Sequence, residues 1–404
     1  MMKDVENPVP VTDLARAIAP VSVENFFTEY FEKKHLVVRH DDPGYFNALL
    51  DVADIDQVLT QTIIPVEDLS MVNNGTAIPP EDISQDSGNI DPVLVSQMFA
   101  EGGTIILPQL QRRLPKLAAF CRALETVFSC DVQTNIYLTP DNARGFRTHY
   151  DSHDVVVLQT HGSKTWNIYE SPLSLPLRSQ AFTPDGFVPG KVIDTFTLHA
   201  GDMCYVPRGV VHDAIATDEM SLHITTGLLG PRWVDLLVEG LMKLAQQDPA
   251  FRASVPPGFA FEGFDMAAAA ETFGALMQRA AGAMDARGTL DDFAHEYRGR
   301  RLPVVPGQFL QSVTADQIAE GATLARRDDL IHTLERRVDD TGAEEIVLSV
   351  YGNEIAFPAH VEAGLRDALG QPSFVVGTLK GDLDGPGQAV LARRLVREGV
   401  LRRV

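Results

Sequence analysis

Two stretches of the sequence concentrate the side chains able to do chemistry: NIYLTPDNARGFRTHYDSHDVVVLQTHGSKTWNIYE, from Asn135 to Glu170, and GDMCYVPRGVVHDA, from Gly201 to Ala214. His149 and Asp151 are two residues apart, the spacing that puts both side chains on one face of an extended strand. His212 is then expected from a strand adjacent to them in a barrel. Two imidazoles and one carboxylate on one face leave three coordination positions open, the facial triad that suits non-haem Fe(II). An isolated HxD is common by chance, so the second stretch carries much of the weight. There Gly201-Asp202 reads as a turn into a strand, and Pro207 with Gly209 as a tight reversal that delivers His212 onto the next one.

Lys164 follows Gly162-Ser163, which reads as a hairpin turn between DVVVLQTH and KTWNIYE. It is in phase with Trp166 and Ile168. An inward lysine in a half-buried strand is costly unless it meets an anion. By spacing alone, a surface lysine at a hairpin is the plainer reading.

These residues need a scaffold, and the sequence around them is strand-like. DVQTNIYLT, DVVVLQTH, KTWNIYE, VIDTFTL, DMCYVP and SLHITTG are short, rich in Val, Ile, Thr and Tyr, and separated by Gly, Pro and Asp turn signals, as in an all-β sandwich or barrel. Upstream, VSVENFFTEYFEKK places Phe26, Phe27, Tyr30 and Phe31 at helical spacing before the short strand HLVVRH, and TIILPQL precedes the helix LPKLAAFCRALETVF. After Pro231 the strands give way to WVDLLVEGLMKLAQQ and MAAAAETFGALMQRAAGAM, both at helical period. From LPVVPGQF onward a two-stranded ribbon (EIVLSVYG, EIAFP) lies among helices, a winged-helix-like arrangement. The expected fold is a mainly β core with an α-helical connector and a C-terminal winged-helix-like domain, divided at 1–231, 232–300 and 301–404.

The segment NxYxTP…GFxxHxDxHDVxVLQxxGxKxW resembles the JmjC-type, cupin-like 2-oxoglutarate oxygenases known as ribosomal oxygenases. The resemblance covers nearly the whole sequence, because FFxxYxEKKHLVVR, the barrel, the helical block and the terminal module occur in that family's order. It implies a double-stranded β-helix, Fe(II), O2 and 2-oxoglutarate as cosubstrate, with His149, Asp151 and His212 as iron ligands. It makes Lys164 the partner of the distal 2-oxoglutarate carboxylate, overriding the surface reading. Tyr137 matches a tyrosine that binds the same carboxylate, Asn135 faces the same way, and Thr225 matches a residue lining the cosubstrate pocket. From the residues alone, Tyr137 also reads as a core tyrosine and Asn135 as a turn-proximal amide. The retained Asp151 favours hydroxylation over halogenation. Family members that hydroxylate histidine carry a serine where this protein has Gly227, so the target stays open between arginine, histidine and another residue.

Composition sets outer bounds. A length of 404 residues, with hydrophobic residues at 45% and charged residues at 22%, is enough to bury a sizeable core. The formal net charge of -21 repels phosphate backbones and anionic lipid; it argues against nucleic acid and membranes and suits a basic protein substrate, such as a ribosomal protein. Cys121, Cys130 and Cys204 are an odd set without a CxxC pair, which reads as reduced thiols and a cytoplasmic protein. The amino terminus lacks the basic start and apolar run of a signal peptide. No apolar run is long enough to span a bilayer. The Leu and Met stripe of the helical block resembles the region through which relatives dimerise, so a homodimer is expected. His153, His161 and His223 read as surface or supporting residues. Two other functions remain: the same chemistry on a peptide natural-product precursor or small molecule, and a catalytically silent cupin used as a binding scaffold.

Overall fold

The computed structural model describes residues 12–141, 143 and 147–404. The Gly145-Phe146 part of the motif and the first eleven residues of the amino terminus lie outside the described residues. The protein divides into two compact units, residues 1–230 and 231–404.

The first unit is built on eleven strands: β1 (Leu36–Val38), β2 (Ser70–Asn73), β3 (Thr76–Ile78), β4 (Thr104–Leu107), β5 (Asp131–Thr139), β6 (Asp154–His161), β7 (Ser163–Tyr169), β8 (Val192–His199), β9 (Met203–Val206), β10 (His212–Ala216) and β11 (Ser221–Leu229). They form an eight-stranded sheet in the order β1-β9-β6-β11-β5-β4-β2-β3 and a three-stranded sheet, β10-β7-β8. This is the mainly β core expected from the strand pattern.

Period-two alternation explains why the large sheet is covered on both faces. Val132, Ile136 and Leu138 of β5, Val156 and Leu158 of β6, and Leu222, Ile224 and Leu228 of β11 point into the main core. Five helices add to that core: α1 (Leu14–Ile18), α2 (Val23–Glu29), α3 (Val52–Gln61), α4 (Pro92–Ala100) and α5 (Pro115–Phe128). Val155 and Val157 of β6 and Cys204 and Val206 of β9 point the other way, and pack with Trp166 and Leu198 of the small sheet. A strand buried on both faces reads as a continuous apolar run, as DVVVLQT does.

The FFTEYFEKK segment docks onto the barrel through Phe26, whose ring meets Tyr205 edge-on at 4.9 Å. The Tyr205 hydroxyl donates to Asp154 at 2.6 Å and accepts from the Glu32 amide at 2.9 Å. Arg208 bridges the Glu32 and Asp154 carboxylates. Asp154 begins β6, so this network fixes the strand that follows the HxD motif.

Gly162 departs from expectation. β6 pairs with β9 and β11 while β7 pairs with β8 and β10, so Gly162-Ser163 leads from one sheet to the other instead of closing a hairpin. Gly162 adopts φ +60°, and a Cβ there would stand 2.0 Å from the Met220 carbonyl oxygen. Only glycine fits such a crossing.

The second unit contains α6 (Trp233–Gln247), α7 (Met266–Ala283), α8 (Ala286–Arg300), α9 (Gln308–Val313), α10 (Glu362–Gly370) and α11 (Gly385–Arg397). Its strands are β12 (Thr323–Arg326), β13 (His332–Val338), β14 (Glu344–Val350), β15 (Asn353–Pro358), β16 (Ser373–Val375) and β17 (Leu401–Arg403). The expected two-stranded ribbon is a three-stranded meander, β13-β14-β15, and a second small sheet runs β16-β12-β17. Leu348, Leu365, Leu391 and Leu395 are among the residues of a core of its own. Among the described residues no helix is long and apolar enough to cross a membrane, and Cys121, Cys130 and Cys204 are buried thiols outside any disulfide.

Candidate active site

His212 is the first residue of β10, and its backbone forms an isolated bridge with His149. Asp151 lies in the irregular segment before β6 rather than on a strand. The HxD therefore owes its convergence to that bridge and to the Gly209 turn, φ +84°, not to strand alternation. The Gly209 amide donates to the Asp151 carbonyl at 2.9 Å, tying the turn to the motif.

One ligand atom from each of His149, Asp151 and His212 lies within 4.8 Å of the other two. Asp151 Oδ2 is 3.8 Å from His212 Nε2. His149 Nδ1 is 2.8 Å from the Arg147 carbonyl and His212 Nδ1 is 3.0 Å from the Val210 carbonyl. A carbonyl oxygen only accepts, so both Nδ1 atoms carry the proton and both Nε2 atoms present lone pairs. Metal-binding histidines need this tautomer, with the far nitrogen held by a backbone carbonyl. Burial, reinforced by the neighbouring His149, pushes His212 down to about 4, which keeps its imidazole neutral.

The His212 ring stacks on Trp166 at 5.7 Å. Asp213, next along the strand and buried, faces away from the triad. It accepts from Thr148 Oγ1 at 2.6 Å, Asn167 Nδ2 at 2.9 Å and Tyr169 Oη at 2.7 Å. Through Thr148 it links the residue before His149 to the residue after His212.

The triad opens on a cavity of ≈ 100 Å³ lined by both sheets. A single water needs about 10–15 Å³ on the same measure, so the cavity has room for a small organic molecule. Every residue expected from the sequence reaches it: Asn135 and Tyr137 from β5, Lys164 from β7, Thr225 from β11, and the three triad residues. Lys164 is buried, against the surface reading its spacing allowed, and its ammonium donates to Thr139 Oγ1 at 2.9 Å. Burial pushes Lys164 down to about 7. An ammonium held in an apolar wall beside one hydroxyl is a site for an anion.

Sequence reasoning missed two pocket residues. His223 is buried and lies face to face with Tyr137, ring centroids 4.9 Å apart. Its signal was its phase, two residues before Thr225 on the same strand face. His153 stands at the rim, where a Cβ added to Gly227 would meet its ring at 2.6 Å. His161 is exposed, as its sequence context suggests.

Residues 107–236 match the JmjC domain family. That stretch contains His149, Asp151, Lys164 and His212. Among curated proteins, this one is 34% identical over 230 residues to the bifunctional lysine-specific demethylase and histidyl-hydroxylase NO66 of Dictyostelium discoideum, an alignment covering 55% of the present sequence and 44% of that relative. The NO66 of Aedes aegypti is 33% identical over 229 residues, 55% of the present sequence and 36% of its own length. The protein thus spans less than half the length of these relatives. Among solved structures, the Escherichia coli ribosomal oxygenase YcfD aligns with TM-score 0.53 at 15% identity, over 95% of this protein and 98% of that one. A YcfD structure in complex with cobalt and 2-oxoglutarate aligns with TM-score 0.51 at 14% identity. The shared fold thus extends beyond the JmjC domain into the second unit.

Proposed function

We propose that this protein is an Fe(II)- and 2-oxoglutarate-dependent dioxygenase that hydroxylates a C–H bond on an amino-acid residue of another protein, with a basic ribosomal protein as the substrate class. The observation that carries this reading is the convergence of His149, Asp151 and His212, both histidines in the ligating tautomer, on the cavity that also holds Lys164. These donors fit Fe(II) and leave positions open. Lys164 and Tyr137 fit the distal carboxylate of 2-oxoglutarate, with Asn135 and Thr225 on the wall beside them. When bound, iron, 2-oxoglutarate and O2 supply the oxidant: the 2-oxoacid leaves as succinate and carbon dioxide, and the second oxygen atom enters the substrate C–H bond. The protein's own contribution is to hold the ligands, anchor the carboxylate and line the cavity with Val155, Val157 and Ala214, which offer no competing polar group.

The names of the relatives support a protein residue as target, histidine in NO66 and a ribosomal component in YcfD. The net charge of -21 favours a basic partner. Gly227, with the His153 ring packed against it, leaves an arginine- or histidine-type target open. Two measurements test the proposal. The Fe(II)-loaded protein should convert 2-oxoglutarate to succinate; failure would leave a binding scaffold. Ribosomal proteins from cells with the gene should be heavier by one oxygen than those without it. No difference would redirect the same chemistry to a peptide natural-product precursor or a small molecule.

The second unit completes the proposal: residues 232–300 as a dimerisation region, 301–404 as a winged-helix-like domain after the 1–231 oxygenase domain, and a cytoplasmic location consistent with three thiols outside any disulfide. Trp233, Leu237 and Met242 of α6 and Phe273 and Met277 of α7 are exposed, an apolar surface suited to a second copy of the protein. A solution mass of two protomers at micromolar concentration is expected; one protomer would overturn this part.

A further inference from the structure

His223 is a buried polar side chain that nothing in the protein explains. It is 4% exposed, it lines the cavity, and its Nδ1 has no hydrogen-bond partner among the described residues. Buried polar atoms are ordinarily paired, so an orphan on a side chain that lines a cavity marks a missing ligand atom. Its place in the sheet says which one. His223 pairs in register with Tyr137, and the two rings stack at 4.9 Å with 4° between their planes. Trp166 meets the same imidazole edge-on at 6.1 Å. The ring is thereby clamped in one orientation. The next position on that face of β5 is Thr139, whose hydroxyl receives the Lys164 ammonium at 2.9 Å. The imidazole and the ammonium thus occupy neighbouring rungs of one wall, and burial together with that cation keeps the imidazole neutral.

We propose that His223 is a binding residue for the anion that Lys164 attracts, donating a ring N–H to the distal carboxylate of 2-oxoglutarate. This rests on the cosubstrate assigned above. It makes the anchor a pair, a cation for charge and a clamped neutral donor for direction, and it selects 2-oxoacids that carry a second carboxylate.

The test uses the full-length protein loaded with Zn(II), a redox-silent stand-in for Fe(II), and titration calorimetry with 2-oxoglutarate and with pyruvate, which lacks the distal carboxylate. His223→Phe retains a flat ring against Tyr137 and removes the donor. It should weaken 2-oxoglutarate about tenfold or more, the scale of a hydrogen bond to a charged group, and leave pyruvate and Zn(II) binding unchanged. His223→Gln should recover part of the loss. Unchanged 2-oxoglutarate affinity in His223→Phe, or equal losses for the two acids, overturns the inference while the cosubstrate assignment stands. No binding of 2-oxoglutarate by the wild-type protein overturns both. If His223→Phe does not fold, histidine ring nitrogen resonances of the wild-type Zn(II) protein decide: the His223 N–H should shift with 2-oxoglutarate and not with pyruvate, and equal response to both is the contrary result.

Discussion

His149 and His212 exchange backbone hydrogen bonds, the His149 N–H reaching the His212 carbonyl at 3.0 Å and the His212 N–H reaching the His149 carbonyl at 2.8 Å. This reciprocal pair locks two of the three proposed ligands, from distant parts of the sequence, against each other. The centre is therefore preformed. Asp151→Ala and His149→Ala should retain the fold and lose metal, each weakening Zn(II) or Mn(II) binding by more than about 100-fold, beyond the usual 10–100-fold for supporting residues. Calorimetry checks this; a variant with wild-type metal affinity would remove that residue from the ligand set.

Asp213 ties Thr148, the neighbour of His149, to β10 without being part of the triad. Asp213→Ala removes a charged acceptor from the half-buried Thr148, Asn167 and Tyr169 side chains, and a hydrogen bond to a charged group is worth about 1.5–3 kcal/mol. A fall in stability of at least about 2 kcal/mol is expected in chemical denaturation, with metal affinity reduced by about 10–100-fold. Asp213→Asn, which can accept at only one oxygen, should fall between. Loss of stability without loss of metal affinity would confine Asp213 to a structural role.

Anion binding should follow the charge on Lys164. Burial lowers this amine to about 7, so its ammonium is complete below that pH and lost above it. The groups facing it do not change charge there: His223 is held neutral and burial pushes the Tyr137 hydroxyl upward. The affinity for 2-oxoglutarate should be level below about pH 7 and weaken by up to about tenfold per pH unit above it, as proton uptake accompanies binding. Lys164→Met should lose most of the affinity and all of this slope. A wild-type profile that stays flat through pH 9, on the order of two units above that value, would contradict the assignment.

The His153 ring, which lines the cavity, packs directly against Gly227. A methyl at 227 would sit 2.6 Å from His153 Cδ2 and 2.7 Å from Nε2, so the ring must move. Gly227→Ala should destabilise the wild-type protein by about 1–3 kcal/mol and have almost no effect in a His153→Ala background. A double-mutant cycle reads this coupling; additive effects would show that the two residues do not share the space.

Much of the architecture is legible in residue order. The strand DVQTNIYLT coincides with β5 and DVVVLQTH with β6, because alternation and a doubly buried apolar run are local signals. The helix WVDLLVEGLMKLAQQ coincides with α6 for the same reason. Partners across sheets are not local. Gly162-Ser163 carries a hairpin signal, yet the strands it joins belong to different sheets, which only long-range pairing decides. β13, HTLERRV, has no fully buried residue and so lacks a clear pattern, hiding the third strand of its meander. The triad was legible from residue types, while its geometry came from a turn and a bridge. His223 was passed over because a lone histidine looks the same whether it faces solvent or a cavity.

In the proposed function His149, Asp151 and His212 hold Fe(II) with an open face for a 2-oxoacid anchored by Lys164. Anaerobic addition of 2-oxoglutarate to the Fe(II)-loaded protein tests it most directly, since chelation of Fe(II) by a 2-oxoacid gives a visible charge-transfer absorption without any protein substrate. The band should appear on addition of 2-oxoglutarate, be absent in Asp151→Ala, and need far more ligand in Lys164→Met. No band at saturating Fe(II) and 2-oxoglutarate, or an undiminished band in Asp151→Ala, would contradict the account.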